Sequence, residues 1–305
     1  METRIATTFI KVAELGSITR AAEQLGYSQG AVTSQIKQLE ENLGVLLFDR
    51  VGRGIQLTEA GKRFQEYAAN LIRASEDADA FAMDEKEPEG PLVIEATSSV
   101  SIGILSKTLH TFHMRYPKIR ISVRLSEDTD ILIDHVRQNR VDFAVFLAPM
   151  DCFDGCVLAA EKKEIFRFVT SPADSLAKKK RASLEKVLDE SFVSAFISTD
   201  RDLKNEYVVE SYLRQRGYDV QPVVEFGTIA SVVNYIKTSG GHAYLPLFMI
   251  EEELKRKELC IIDTEPVDIH EHVQVIYSAT RWMSPQMKVF AAFMKEVLEE
   301  DDHLE

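Results

Sequence analysis

With 305 residues, 45% hydrophobic and 28% charged, and a formal net charge of −13, the chain has the balance of a core-burying globule with room for about two domains. No apolar run approaches the roughly 18 residues of a membrane helix, and three cysteines are too few for a disulfide scaffold. A membrane protein, a secreted mini-domain and a disordered tail are thereby excluded; the opening Met1-Glu2-Thr3-Arg4-Ile5 lacks the pattern of a secretory signal, and a reducing, cytoplasmic setting is expected.

Residues 1–90 are predicted to form short helices, a hairpin and one long helix. Ile5, Phe9, Val12 and Ala13 recur at helical spacing and give a first helix one apolar face, stopped by Gly16. Ser17 or Thr19 can cap a short second helix that buries Ala21, Ala22 and Leu25, and Gly26-Tyr27 makes a tight turn. Ser28 caps a third helix that runs to about Leu43 and stops at Gly44. Phe48-Asp49-Arg50, Val51-Gly52-Arg53-Gly54 and Ile55-Gln56-Leu57 read as strand, glycine-rich turn and strand. Thr58 then caps a long helix in which Ala60, Phe64, Tyr67, Leu71, Ala74, Ala78 and Phe81 are spaced alternately four and three apart. A period of about 3.5 is a coiled-coil seam, so a second helix is expected against it rather than the helix's own domain.

After the polar linker Lys86-Glu87-Pro88-Glu89-Gly90-Pro91 the pattern changes to α/β alternation. Strands are predicted at 92–96, 119–125, 143–147, 165–170, 192–197, 220–226, 242–245 and 273–278. Helices are predicted at 100–116, 130–139, 184–189, 205–216, 229–238, 247–257 and 285–299. Strands separated by such helices imply mostly parallel sheets, and about 210 residues of alternation suggest two similar lobes.

Two short helices joined by a glycine turn and followed by a hairpin make a winged helix-turn-helix. Its third helix places Val32, Ile36, Leu39 and Leu43 on the core side; Gly30, Ser34, Lys37 and Glu41 lie opposite, with Thr33 on the flank and Gln29 at the N-terminal end. Small and hydrogen-bonding side chains suit close approach to base edges in a major groove. Gln29 can pair bidentately with adenine, Thr33 can offer a methyl to thymine, and Lys37 can reach guanine or phosphate. A merely solvated face would look the same. The hairpin shifts the balance, because Arg53 stands between two glycines at its tip, where no core role exists and a narrow minor groove would attract it. Arg50, Lys62 and Arg63 are candidates for phosphate contacts. Residues 1–73 carry nine Lys/Arg and eight Asp/Glu, net +1, which leaves −14 on the other 232 residues and confines polyanion binding to the first segment.

The run Phe9-x-x-Val12-Ala13-Glu14-x-Gly16-Ser17, Ala21-Ala22-x-x-Leu25, Ser28-Gln29, Gln35-Ile36-x-Gln38-Leu39-Glu40-x-x-Leu43-Gly44-Val45-x-Leu47-Phe48-x-Arg50 and Leu57-Thr58-x-Ala60-Gly61 closely resembles the amino-terminal domain of LysR-type transcriptional regulators. Looser counterparts follow in Phe112-x-x-x-Tyr116-Pro117-x-Ile119, Asp142-Phe143-Ala144-Val145, Gly240-Gly241-x-Ala243-x-Leu245-Pro246 and the closing helix around Phe290. The resemblance implies an α/β protein with three parts: an N-terminal winged helix-turn-helix over 1–58, a dimerisation helix and hinge over 59–90, and a two-lobed periplasmic-binding-protein-like effector domain over 91–305. Lobe I would take 91–162 and 268–305, and lobe II 163–267. The resemblance further implies double-stranded promoter DNA as partner, a homodimer through the 59–84 helix, dimers joined into a homotetramer, RNA polymerase as a further partner, and a small effector between the lobes, with no cofactor and no metal. The family's base-contacting positions fall on Gln29, Gly30, Thr33, Ser34 and, in the wing, Arg53. Gly30 stands where the family often has proline, and Ser34 where it often has arginine, so the operator preference does not carry over.

Ligands of open α/β sheets bind beyond the carboxyl ends of the strands. Thr97, Ser98, Ser99 and Ser101 follow the first strand of the α/β region and open a helix, whose free amides suit an anion. Ser198, Thr199 and Asp200 follow a strand of the second lobe and Thr228 follows another; Thr129 completes the candidate effector set. One isolated hydroxyl there is more often a helix cap, but convergence on strand ends favours a ligand. A small carboxylate effector is expected, or, given Glu127, Asp128 and Asp200, an amino acid or amine. Cys152 and Cys156 form a Cys-x-x-x-Cys pair in a loop between the lobes, read as two free thiols or as a redox or metal site. His110 and His113 are too few for zinc, and Lys178-Lys179-Lys180-Arg181 reads as a solvated loop. No nucleophile with a positioned base and no phosphate-loop fingerprint occurs, so an enzyme is not expected. The rivals are a metabolite-binding or enzymatic α/β domain with a vestigial DNA-binding head, and a purely structural dimer.

Overall fold

The structure, a computed structural model, describes residues 2–51, 54–81, 87–150, 153–188, 191–195, 208–265, 267 and 271–300. They fall into two compact units, Met1–Glu87 with Trp282–Pro285, and Pro88–Arg281 with Gln286–Glu305. In the first unit α1 (Thr3–Leu15), α2 (Ile18–Leu25) and α3 (Gln29–Leu43) precede a hairpin of β1 (Phe48–Val51) and β2 (Gly54–Leu57), followed by α4 (Glu59–Phe81). Each boundary has a local cause. The Ser17 and Ser28 hydroxyls accept the amides of Arg20 and Ala31 at 3.4 and 3.2 Å. Gly26 and Gly44 close their helices at φ 71° and 69°, where a side chain would be strained.

Val12, Val32, Ile36, Leu39 and Leu47 bury themselves with Phe9, whose ring meets Phe48 at 5.2 Å and Phe64 at 4.9 Å. Phe64 lies on α4, and Ala68 of the same helix is fully buried, with Ala60, Leu71 and Ile72 packed on the same core. The seam expected along α4 is therefore split. Ala60, Phe64 and Leu71 serve the helix's own domain, whereas Tyr67, Ala74 and Ala78 are exposed; the Phe81 side chain and the expected continuation over 82–84 lie outside the described residues. Spacing misleads here because repeats of 3.5 and 3.6 residues diverge by only about 20° per heptad, so over three heptads a core stripe and a partner stripe overlap.

The second unit opens with β3 (Gly90–Ala96), the short α5 (Ser98–Val100), a π-helix (Ser101–Leu105), α6 (Ser106–Arg115), β4 (Ile119–Leu125), α7 (Thr129–Arg137), β5 (Phe143–Pro149), β6 (Cys156–Lys163) and β7 (Phe166–Thr170). There follow α8 (Leu184–Val187), β8 (Val193–Ala195), α9 (Val208–Gln215), β9 (Val224–Phe226), α10 (Ile229–Ser239), β10 (His242–Pro246), α11 (Glu251–Lys255), β11 (Cys260–Ile261), β12 (Glu271–Ser278) and α12 (Pro285–Glu300). One sheet runs β4-β3-β5-β12-β6, with β3 parallel to β4 and β5 but β12 antiparallel to β5 and β6. A second lobe holds the antiparallel trio β10-β7-β11 and the parallel pair β8-β9.

The expectation of mostly parallel sheets fails in the trio β10-β7-β11 of the second lobe and at the strands that carry the chain between lobes, since a chain that leaves a sheet and re-enters it from the other lobe comes back reversed. Sequence patterning also misses β6, whose Val157-Leu158-Ala159-Ala160 does not alternate and whose Glu161-Lys162-Lys163 reads as solvated loop. The first sheet is filled from one side by Phe112, Phe290 and Phe293, with Phe143 5.0 Å from Phe290. Beside β3, buried Asp142 accepts the Val93 amide at 2.6 Å and pairs with buried Arg281 at 2.7 Å. The chain crosses between lobes after β6 and before β12, and the two crossings are tied by the Glu164 amide donating to the Glu271 carbonyl at 2.8 Å.

Candidate functional site

Helix α3 has two chemically distinct faces. Val32, Ile36 and Leu39 are buried, whereas Gln29, Gly30, Thr33, Ser34 and Lys37 are all exposed. The Thr33 hydroxyl donates to the Gln29 carbonyl at 2.8 Å, which leaves the methyl as the group Thr33 has to offer. Lys37 lies 3.6 Å from Glu41, an exposed pair too weak to keep the ammonium from a phosphate. A 2.7 Å hydrogen bond between the fully buried Thr8 hydroxyl and the Gln35 side chain fixes α3 on α1. Gly30 borders open space, and a Cβ built there would meet nothing within 4 Å. Its missing side chain therefore answers no need of its own fold. Gly30→Ala is expected to stabilise the first unit by up to about 1 kcal/mol through helix propensity, while weakening DNA binding several-fold. Thermal melts and gel-shift titrations run in parallel check both halves, and unchanged DNA affinity would show that nothing approaches Gly30 closely.

The wing is anchored by a residue that sequence reasoning passes over. Glu40 Oε1 accepts the amides of Leu47 at 2.7 Å and Phe48 at 3.1 Å, joining the end of α3 to the start of β1. From the other side Thr58 donates its hydroxyl to the Leu46 carbonyl at 2.8 Å and its amide to the Leu47 carbonyl at 3.0 Å. Gly61 closes the clamp, since a Cβ there would stand 2.1 Å from the Leu47 carbonyl oxygen. Glu40→Ala leaves two part-buried amides without their acceptor and is expected to cost the first unit about 1–3 kcal/mol. Glu40→Gln keeps an acceptor oxygen and is expected to retain most of that stability in urea unfolding; equal losses would show that charge rather than the bond matters. The hairpin register closes with Val51 opposite Gly54. The Arg50 side chain, and Gly52 and Arg53 altogether, lie outside the described residues. Exposed Lys62 pairs with Glu59 at 2.6 Å and holds that carboxyl below its ordinary value, and Arg63 is exposed.

In the second unit, β5 ends with Pro149 opposite Glu271, and β6 ends with Lys163 opposite His272. The carboxyl ends of the parallel strands thus share one side with the crossings between lobes. Thr97, Ser98 and Ser99 sit there, all buried, with the Thr97 and Ser99 hydroxyls 3.2 Å apart. Thr97 caps no amide. The Ser98 amide donates to Glu127 Oε1 at 3.0 Å, so a carboxylate already stands where the short helix would receive an anion. Thr129 opens α7, whose cap is Asp128, accepting the amides of Asp130 and Ile131 at 3.0 and 3.1 Å. Thr228 is itself a helix cap, accepting the Ser231 amide at 3.2 Å and bonding the Ser231 hydroxyl at 2.9 Å. Thr97, Ser98 and Ser99 thus gather with Glu127, Thr228 lies on the second lobe, and Ser198, Thr199 and Asp200 lie outside the described residues.

Cys156 does not lie in a loop but opens β6 opposite Ser278, and burial pushes its thiol up; Cys152 lies outside the described residues. A raised thiol is a poor nucleophile, which favours the plain free-thiol reading. His110 and His113 are exposed on α6, and among the described residues no group of three His, Cys, Asp or Glu side chains could hold a metal ion. No described helix is long and apolar enough to cross a membrane.

Comparison with known proteins gives one answer over the whole length. Residues 4–62 match the bacterial regulatory helix-turn-helix protein domain of the lysR family, and residues 85–299 match the LysR substrate binding domain. The chain is 30% identical over 262 residues to the HTH-type transcriptional regulator YofA of Bacillus velezensis, covering 85% of each protein. It is 29% identical to a probable RuBisCO transcriptional regulator of Synechocystis sp., covering 94% of this chain and 83% of that one. A probable transcriptional regulator from Pseudomonas aeruginosa, PA0477, superposes with a TM-score of 0.72 over 97% of each chain at 16% identity. Full-length CbnR, solved with its target DNA, superposes with a TM-score of 0.68 over 98% of this chain and 99% of that one at 17% identity. An amino-terminal helix-turn-helix and an effector-binding domain, matched over 4–62 and 85–299, make this chain a member of the LysR family of DNA-binding transcriptional regulators.

Proposed function

We propose that the regulator reads duplex DNA through Gln29, Gly30, Thr33, Ser34 and Lys37, with Arg53 entering the adjacent minor groove and Arg50 holding phosphate. The observation that carries this reading is the exposed, small and polar face of α3, with Gly30 open to close approach. The CbnR structure with its target DNA supports the same use of the fold. The division into 1–58, 59–90 and 91–305 assigns DNA binding, pairing and effector response to successive segments. A second copy pairs along the 59–84 helix, where Tyr67, Ala74 and Ala78 remain exposed, and two such dimers join as a tetramer. RNA polymerase is the further partner, the setting is cytoplasmic, and the effector is bound without being turned over.

The effector is a small carboxylate received at Thr97, Ser98 and Ser99, completed from the second lobe by Ser198, Thr199 and Thr228, with Thr129 alongside. Glu127 on the Ser98 amide favours a second reading in which the ligand also carries an amino group, as an amino acid does. Genome-wide mapping of bound DNA tests the regulatory half, and discrete sites upstream of genes are the expected result. Calorimetric titration with carboxylates, amino acids, amines and uncharged analogues tests the effector half. Binding of uncharged compounds alone would defeat both versions.

A further inference from the structure

Ser101–Leu105, directly after the segment assigned to the effector, is wound as a π-helix, a rare turn that concentrates at functional sites. Gly103 lies in the middle of it. A Cβ on Gly103 would stand 2.3 Å from Cδ2 and 2.7 Å from Cε2 of the Phe248 ring, and 3.0 Å from Met249 Sδ. Phe248 is buried and belongs to the other lobe, in the single turn Leu247–Met249 that follows β10. Its carbonyl accepts Lys107 Nζ of α6 at 3.2 Å, and its amide donates to Glu164 Oε1 at 3.2 Å. The neighbouring Leu247 amide donates to the Ile165 carbonyl at 2.8 Å. Glu164 stands on one crossing between the lobes, and its own amide reaches the Glu271 carbonyl on the other at 2.8 Å.

One aromatic residue thus touches the π-helix of the first lobe while belonging to the second and being bonded to the crossing strand. Rewinding the π-turn would give the contact at Gly103 a second, discrete setting rather than a continuous range. A π-turn holds one residue more than an α-turn, and rewinding it would rotate the helix face by about 100°. That rotation replaces Gly103 by a side-chain-bearing neighbour, Ile102 or Ile104, against a ring with no room for either. Packed junctions of this kind switch between arrangements instead of deforming gradually.

We propose that Phe248, seated on Gly103 and gripped by Glu164 and Lys107, is the positioning residue that makes Thr97–Ser101 and the inter-lobe crossings move together, so that a ligand at the first sets the angle of the second. This rests on the effector reading given above and adds the route by which that site is felt.

Hydrogen exchange of the full-length protein tests it without needing the ligand. Glu164→Ala removes the acceptor of the Phe248 amide and alters no residue of 97–105. The expected result is exchange about tenfold faster at 247–250, accompanied by a several-fold rise at 98–105, with β5 at 143–148 unchanged. Glu164→Gln, which keeps an acceptor oxygen, is expected to restore both regions. Gly103→Ala is expected to show the reciprocal effect, faster exchange at 164–166. Acceleration confined to 247–250, as a simple turn cap would give, overturns the coupling; so does a rise spread evenly over the domain, or none. In a separate arm each protein is titrated with a duplex selected from random sequence by the wild type. Failure of the wild type to select any duplex sinks the regulator reading, whereas DNA binding by all variants without coupled exchange sinks only the junction.

Discussion

Asp142→Ala is expected to destabilise the second unit by about 4 kcal/mol, which for a domain of this size lowers its melting temperature by roughly 8–16 °C. Asp142 and Arg281 stand 2.7 Å apart with side chains only 5% and 7% exposed. Neither charge has much water to fall back on. Removing the carboxylate takes from a buried guanidinium its 2.7 Å ion pair, and it also strips the Val93 amide of an acceptor at 2.6 Å. The two losses compound, because a buried polar group left unpaired costs more than the bond itself was worth. Asp142→Asn keeps an oxygen for Val93 and gives up the charge alone, so its melting temperature is expected between those of alanine and wild type. Calorimetry of the full-length protein resolves this. An alanine variant melting within about 2 °C of wild type would show that the ion pair is not part of what holds β3 to the end of β12.

Stability of the second unit is also expected to fall as pH rises from about 4.5 towards neutrality. Glu164 and Glu271 are each 5% exposed, and burial pushes both carboxyls from 4.5 up to about 7. Below about 4.5 the folded and unfolded chains both carry these protons, and the contribution is complete. Between 4.5 and 7 the unfolded chain releases them while the folded one holds on, so stability drains away with rising pH; above 7 it is gone. At 1.36 kcal/mol per pH unit each group is worth about 3 kcal/mol over that window. Glu164 is partly relieved by the amides of Phe248, Ile165 and Leu247 and by the Lys162 charge, whereas burial alone governs Glu271. The net shifts are alike, so Glu271→Gln and Glu164→Gln are expected to flatten the profile to a similar extent. Glu258 and Glu296 are held below their ordinary values by Lys237 and Arg115, which gives the opposite sign on the acid side. Glu296 is exposed and Glu258 half-buried, and solvent screens both, so they do not offset the buried carboxyls. Denaturant titrations at pH 5, 6, 7 and 8 measure the trend, and a profile that rises with pH would contradict it.

What can be read from sequence here is what acts locally. Ser17, Ser28, Gly26 and Gly44 set helix ends through bonds to atoms three or four residues away, so residue type and position suffice. The exposed side of α3 is legible for the same reason, since the spacing of Val32, Ile36 and Leu39 leaves only one face to present. Features that depend on distant chain are not. Glu40 reads as a solvated helix carboxylate until the chain turns back and offers it two amides. The stripe on α4 reads as a seam for another molecule until α1 packs against part of it. Thr97 and Thr228 both precede a helix, and only their bonding separates the Thr228 cap from the Thr97 hydroxyl, which meets Ser99 instead. The break at Ser101–Leu105 is silent in the pattern, because residues 98–115 keep helical character throughout and Gly103 is the sole departure.

Base readout by α3 is tested most directly by comparing wild type with Gln29→Ala/Thr33→Ser, which removes the amide and the methyl but keeps the Thr33 position's hydroxyl bond, on a selected duplex and on its scrambled counterpart. Each base contact of this kind discriminates by about 1–3 kcal/mol. The expected result is that the double variant loses at least tenfold of the preference for the selected duplex while its affinity for the scrambled one, carried by phosphate contacts, barely changes. An undiminished preference in that variant would mean that some other surface reads the bases.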